Sequence, residues 1–194
     1  QCLLIASVIS IGMVKLSPKK KLFGLTLIAL LLLLIFSIPY FPVKSNRMVT
    51  ISSLNQIDEN VMLLYFGFPG CNRSCPAALA TIAQVYNKYE ASKPLNSLAI
   101  VFINLIDTDS EKVSLDYATG FHPSFKVITL DDLDMVKAQM TFGLKYSDVQ
   151  EDGQLFHKGY TYLLQRENAN WYVKVIYVNG IPSVPKLYSD LLDL

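Results

Sequence analysis

The first 47 residues contain no aspartate or glutamate. Their charge comes from Lys15, Lys19, Lys20, Lys21, Lys44 and Arg47, whereas residues 48–194 carry 11 basic and 16 acidic side chains, a net of −5 (11 − 16). The overall charge of +1 and hydrophobic content of 52% therefore average two regions built for different surroundings. The acidic region has no basic stripe, which excludes nucleic acid as a partner. Metal-ligating and nucleophilic residues are scarce too: His122 and His157 are the two histidines, and Cys2, Cys71 and Cys75 the three cysteines. No GxSxG, HExxH or EF-hand pattern occurs, and Gly67 and Gly70 do not make a phosphate loop, so those chemistries lack their signatures.

What the acid-free region does have is a long apolar run. Leu22 to Ile38 carries no charge and approaches the minimum length of a bilayer-spanning helix. Pro39-Tyr40-Phe41-Pro42 ends it with rings suited to a membrane interface. More lysines precede the run than follow it, so the positive-inside rule puts the N-terminus in the cytoplasm and the remainder outside, in an oxidising compartment. The run is longer than the usual core of a signal peptide, and no small-x-small site follows it, which favours an uncleaved anchor. Gln1 to Gly12 is apolar and lacks a starting methionine, whereas Met13 to Lys21 reads as a charged leader segment, so Met13 is the expected start. An Arg-rich transit peptide is missing, which points to a bacterial inner membrane with the domain facing the periplasm. The expected division is a cytoplasmic segment at 1–21, a transmembrane anchor at 22–38, a linker at 39–53 and one folded domain at 54–194.

About 140 residues suffice for one well-buried core. Val61 to Phe66 is a continuous apolar run of the kind found in strands buried on both faces. Pro76 to Glu90 follows with helical spacing at Leu79, Ile82, Ala83 and Tyr86, and Leu98 to Leu105 reads as a second buried strand. Strand, helix, strand requires a crossover and hence a parallel pair. Helices are expected at 109–118 and 132–142, with a short strand segment at 125–129. Tyr160 to Gln165 and Trp171 to Val178 then flank the turn-forming Arg166 to Asn170 as an antiparallel hairpin, and an amphipathic helix closes the chain at 183–192. This order is that of an α/β, thioredoxin-like domain.

The chemistry centres on Cys71 and Cys75 in Tyr65-Phe66-Gly67-Phe68-Pro69-Gly70-Cys71-Asn72-Arg73-Ser74-Cys75-Pro76. With Cys75 as N-cap and Pro76 opening the helix, both sulfurs would meet free N–H groups and the positive end of the macrodipole, which favours thiolate. A structural disulfide is the bland alternative, but closing so short a loop removes little unfolded-chain entropy. Two thiolates do not by themselves choose between redox work and metal binding; a third ligand would. His122 lies in a turn and reads as a partly exposed surface residue. His157 immediately precedes the hairpin, whose first strand runs close to the helix mouth in this architecture, so its loop can deliver an imidazole to the thiols; the other reading is a solvated loop histidine. A Cys₂His set suits Cu(I) or Cu(II), while the lack of an obvious fourth ligand weakens structural zinc.

These residues resemble the Sco/SenC family of membrane-anchored, thioredoxin-like copper proteins that help assemble cytochrome c oxidase. The resemblance rests on Tyr65-Phe66-Gly67, on Cys71-x-x-x-Cys75-Pro76, and on a histidine followed by Tyr160-Thr161-Tyr162-Leu163-Leu164, and it spans roughly Leu63 to Val178. It implies that Cys71, Cys75 and His157 ligate copper, that Asp107 sits in an acidic motif after the second strand, and that the partners are an oxidase subunit and an upstream copper donor or thiol reductant. The family commonly has Pro-Asp inside the cysteine loop and Asp before the histidine; this chain has Asn72-Arg73 and Phe156. Arg73 between two thiolates would lower their pKa and offset the charge of a Cu(I) dithiolate; the alternative is an exposed loop charge. The other reading is a membrane-anchored thiol–disulfide reductase acting through Cys71 and Cys75. Against it stand the C-x-x-x-C spacing and the absence of any proline between Pro123 and Pro182, where reductases of this fold place a cis-proline. The five methionines do not cluster as a copper store, and Cys2 carries no assigned role.

Overall fold

A computed structural model of the protein describes residues 18–37, 43–72, 74–92, 94–106, 110–144, 159–178 and 182–194. The chain divides into two units, Gln1–Tyr40 and Phe41–Leu194. In the first, helix α1 spans Pro18–Ser37, and its apolar side chains, among them Leu22, Phe23, Leu30 and Leu33, are exposed. Among the described residues no helix is long and apolar enough to cross a membrane. The expected transmembrane anchor is therefore met only as a helix with exposed apolar side chains. Lysines fill the start of α1, leaving 16 residues (37 − 22 + 1) from Leu22 to Ser37. At 1.5 Å per residue these reach about 24 Å, against a hydrocarbon core of about 30 Å.

The second unit is built on one six-stranded sheet, in the order β1-β6-β5-β2-β3-β4. The strands are β1 (Val43–Val49), β2 (Val61–Gly67), β3 (Leu98–Asn104), β4 (Phe125–Ile128), β5 (Thr161–Glu167) and β6 (Asn170–Tyr177). The helices are α2 (Ser74–Ala91), α3 (Glu111–Thr119), α4 (Asp132–Phe142) and α5 (Val184–Leu192). Every residue of β2 and β3 is buried, as their unbroken apolar runs require, and the two pair in parallel. β5 pairs antiparallel with the other side of β2, and its hairpin partner is β6.

Alternation along β2 sends neighbouring side chains to opposite faces. Phe66 packs on Phe142 of α4 (centroids 5.2 Å apart) and on Tyr162 (5.7 Å). The other face meets α2, α3 and α5: Phe102 packs on Tyr117 at 5.7 Å, Asn104 Nδ2 donates to Ser114 Oγ at 3.0 Å, and Tyr177 Oη donates to Asp190 at 2.7 Å. Tyr65 and Gly67 share this second face.

Residues 43–49, which polar composition marks as linker, instead form β1, an edge strand antiparallel to β6 from Val43↔Ile176 to Val49↔Trp171. Such a strand escapes recognition because an edge needs only one buried side, and only Val49 of β1 is buried. Arg47 also donates to the carbonyls of Thr141 (2.8 Å) and Met140 (3.3 Å), tying β1 to the last turn of α4, where free carbonyls favour a cation. A 3-10 turn at Ser52–Gln56 is clamped by the buried Asp134 of α4, which accepts from Ser53 N (2.8 Å), Ser53 Oγ (2.7 Å) and Ser52 Oγ (3.1 Å) and pairs with Lys137 (2.9 Å).

Burial by itself would raise the Asp134 pKa, but the Lys137 contact and the Ser53 and Ser52 donors outweigh it and hold the carboxyl well below its usual value. The clamp's contribution is thus complete above the unfolded carboxylate pKa of about 3.9 and is lost as pH falls below it. Asp134→Asn is expected to destabilise the domain by about 1–3 kcal/mol at pH 7 and to flatten its stability profile below pH 4, as read by denaturant unfolding across pH.

Candidate functional site

Strand β2 ends on Gly67, and Phe68, Pro69 and Gly70 turn the chain into α2. Gly70 has φ 84°, a conformation glycine adopts without strain, and Cys71 N closes the turn on Phe68 O at 3.3 Å. Cys71 and Cys75 are both buried free thiols at the mouth of α2. Cys75 is the second residue of the helix rather than its N-cap, and Pro76 follows within the first turn, where no intrahelical donor is lost.

The expected lowering of the Cys75 pKa is not found. Burial, then the contact with Cys71, pushes it up to about 12, while the Tyr65 hydroxyl and the Phe68 backbone act in the other direction. A helix terminus stabilises a nearby charge by about 0.3–1 kcal/mol, whereas full desolvation shifts a pKa by up to about 3–5 units, so desolvation wins. Without a compensating cation Cys75 is held as thiol, which makes it a slow nucleophile but a site where a soft metal can displace the proton.

Close approach to Gly67 creates this pocket. A Cβ there would sit 2.9 Å from Phe102 Cε2, 3.1 Å from Tyr65 Cε1 and 3.2 Å from Cys75 Sγ. The fully buried Tyr65 has hydroxyl contacts with Cys75 and Ser74, and burial first, then Cys75, raises its pKa. Tyr117 of α3 brings a second phenol: burial, then Cys75 and Cys71, raises its pKa, and its Oη is buried with no hydrogen-bond partner among the described residues. Thr161, opposite Tyr65 in the β2–β5 pairing, has its Oγ1 in the same condition. Sequence reasoning missed Tyr117, because an aromatic on an amphipathic helix carries no signal beyond core packing.

The sequence pattern and the structure thus meet at Cys71 and Cys75. His157, Arg73 and Asp107 lie outside the described residues. Gly159, two residues after His157, is described: a Cβ there would lie 2.8 Å from Ser74 Oγ and 3.0 Å from Tyr65 Oη, so the chain entering β5 presses onto the start of the cysteine helix. His122 is a surface residue as expected: its ring packs on Tyr86 at 5.1 Å, Nε2 faces Asn87 Oδ1 at 3.0 Å, and Nδ1 accepts from Ser124 N at 3.1 Å. Among the described residues no group of three or more His, Cys, Asp or Glu side chains is placed to hold a metal. Two sulfurs nevertheless fit a soft cation, since thiolates are its preferred donors.

Gly67→Ala is expected to force Cys75 and Phe102 apart, lowering stability by about 1–3 kcal/mol and speeding alkylation of the exposed thiol. Thermal unfolding and iodoacetamide labelling followed by mass spectrometry would read both.

Comparison with known proteins finds relatives in sequence and in fold. An SCO2-like protein, RC0895, of Rickettsia conorii is 26% identical over 137 residues, covering 66% of this chain and 63% of the relative, so the match spans less than two thirds of that protein. Among solved structures, yeast Sco1 with copper bound superposes with TM-score 0.59 at 21% identity, covering 79% of this chain and 86% of that one. BsSco, described as a member of the Sco family of cytochrome c oxidase assembly proteins and as carrying a disulfide switch, superposes with TM-score 0.52 at 18% identity, covering 79% and 91%. The SCO1/SenC family model matches residues 47–177, from the last residues of β1 through the cysteine turn to the end of β6, and so takes in strands β2 to β6 and both thiols. By that match, the chain belongs to the SCO1/SenC family.

Proposed function

We propose that the protein is a copper-binding metallochaperone for assembly of the copper centre of cytochrome c oxidase, carrying copper as cargo on Cys71, Cys75 and His157. The observation that carries this reading is the state of the cysteines: two buried free thiols at one helix mouth, one of them held as thiol by burial. A dry pair of soft donors suits a metal that replaces protons, and imidazole suits both Cu(I) and Cu(II). Gly159, two residues further along the chain, packs against Ser74 and Tyr65 at the start of the cysteine helix, which supports His157 as third ligand. The copper bound to yeast Sco1 supports the same cargo.

In this reading the apolar run from Leu22 to Ile38 anchors the chain in a bacterial inner membrane, with the domain in the periplasm. An upstream donor loads the copper, or a reductant first restores the thiols, and an oxidase subunit receives it by ligand exchange. The alternative, a thiol–disulfide reductase, needs a reactive thiolate, and the raised Cys75 pKa disfavours that residue as its nucleophile.

The full chain in detergent, reduced and titrated with copper, is expected to bind about one equivalent through these ligands, with a visible Cu(II)–thiolate band. His157→Ala is expected to weaken Cu(II) binding at least about tenfold, the lower end of what even indirect partners of metal ligands contribute. Thiol exchange with a model disulfide should be unchanged in that variant. Unaltered copper binding in His157→Ala would remove the histidine from the ligand set, and no stable copper on the reduced wild type would favour the reductase.

A further inference from the structure

Among the described glycines, Gly67 and Gly159 are the two where a Cβ would meet another atom closer than 3.0 Å. Gly70 and Gly143 face open space and owe their glycine to φ angles of 84° and 64°. Gly159 does not take the left-handed φ, so what it needs is room rather than backbone freedom. The two gaps receive consecutive side chains of one helix. Ser74 Oγ lies 2.8 Å from the Cβ position of Gly159, and Cys75 Sγ lies 3.2 Å from that of Gly67. Tyr65 runs between them, with Cε1 at 3.1 Å from the Gly67 position and Oη at 3.0 Å from that of Gly159. Its ring is rigid and fully buried, so the two gaps keep a fixed separation. Successive residues of a helix point about 100° apart, so a helix held at one residue can still rotate, whereas one held at two neighbours cannot.

We propose that Gly159 is a positioning residue for the metal ligands: its missing side chain seats the segment entering β5 on Ser74, and this seat, together with the Gly67 gap, fixes the first turn of the cysteine helix against that segment. The seat joins two stretches of chain that each carry ligands, since Ser74 adjoins Cys75 and Gly159 follows His157 by two residues. Ligands arranged before the metal arrives need not be ordered at its expense, which raises affinity without a new contact. Cu(II), which takes imidazole as well as sulfur, depends on this arrangement more than Cu(I), which soft thiolates suit by themselves. The role rests on Cys71, Cys75 and His157 holding copper as read above.

The test uses the full chain in detergent as wild type, Gly159→Ala, Ser74→Ala and their double variant, with Gly143→Ala as control. The control strains the backbone at the end of α4 but meets no neighbour. In reduced, metal-free protein, the added methyl group of Gly159→Ala is expected to lift the seat, so that iodoacetamide labels the cysteines about tenfold faster. Removing Ser74 Oγ makes room for that methyl group, so Gly159→Ala should change the labelling rate far less in the Ser74→Ala background. Gly143→Ala should label as the wild type does. With metal, Gly159→Ala is expected to weaken Cu(II) binding about tenfold and Cu(I) binding much less. In the His157→Ala background it should cost no further Cu(II) affinity. Wild-type labelling in Gly159→Ala, an acceleration that Ser74→Ala does not reduce, or an equal acceleration in Gly143→Ala would overturn the seat. Equal loss of Cu(I) and Cu(II), or full additivity with His157→Ala, would overturn its role in arranging the ligands. Should the wild type bind no copper, the chaperone reading falls, and labelling alone decides whether the seat exists. Should Gly159→Ala not fold, Ser74→Thr, which adds a methyl group from the opposite side of the same gap, carries the comparison.

Discussion

The close packing of Cys75 Sγ against the backbone of Gly67 is the constraint on which the rest of the site depends. With no side chain at 67, the first turn of α2 lies directly on the end of β2, and a sulfur occupies the space a methyl group would fill. Burial of β2 on both faces makes this contact rigid, because Val61 through Gly67 cannot shift without disturbing β3 and β5 together. Tyr65 holds the same place from the side, between Cys75, Ser74 and the backbone of Gly159.

Rigidity of this kind has an electrostatic consequence. A helix N-terminus is usually invoked to activate a cysteine, yet here the dryness that accompanies tight packing outweighs the dipole and keeps Cys75 protonated. The same dryness suits a soft cation: one that displaces the proton meets two soft sulfurs with little competition from water.

Much of the domain was legible in its sequence because long apolar runs admit few interpretations. Val61 to Phe66 and Leu98 to Leu105 have no polar face, so both must be interior strands, and the helix between them dictates a parallel pair. The hairpin was marked by Arg166 to Asn170, where Asn168 and Ala169 adopt the positive φ of a tight turn. β1 was not legible, since its exposed, polar residues owe their strand conformation to the open edge of β6 rather than to any pattern of their own. The buried Asp134 was equally silent: its partners Ser52 and Ser53 lie more than 80 residues away in the chain.

By itself, the sequence determined the identity and spacing of the two cysteines, the glycines that let the turn close, and the order of strands and helices, because these depend on local backbone chemistry and on hydrophobic period. Only the tertiary structure decided the protonation of Cys75 and the arrival of Tyr117 beside it. Both follow from which surfaces are pressed together and dried, and desolvation is a property of the packed neighbourhood that no short stretch of chain carries on its own.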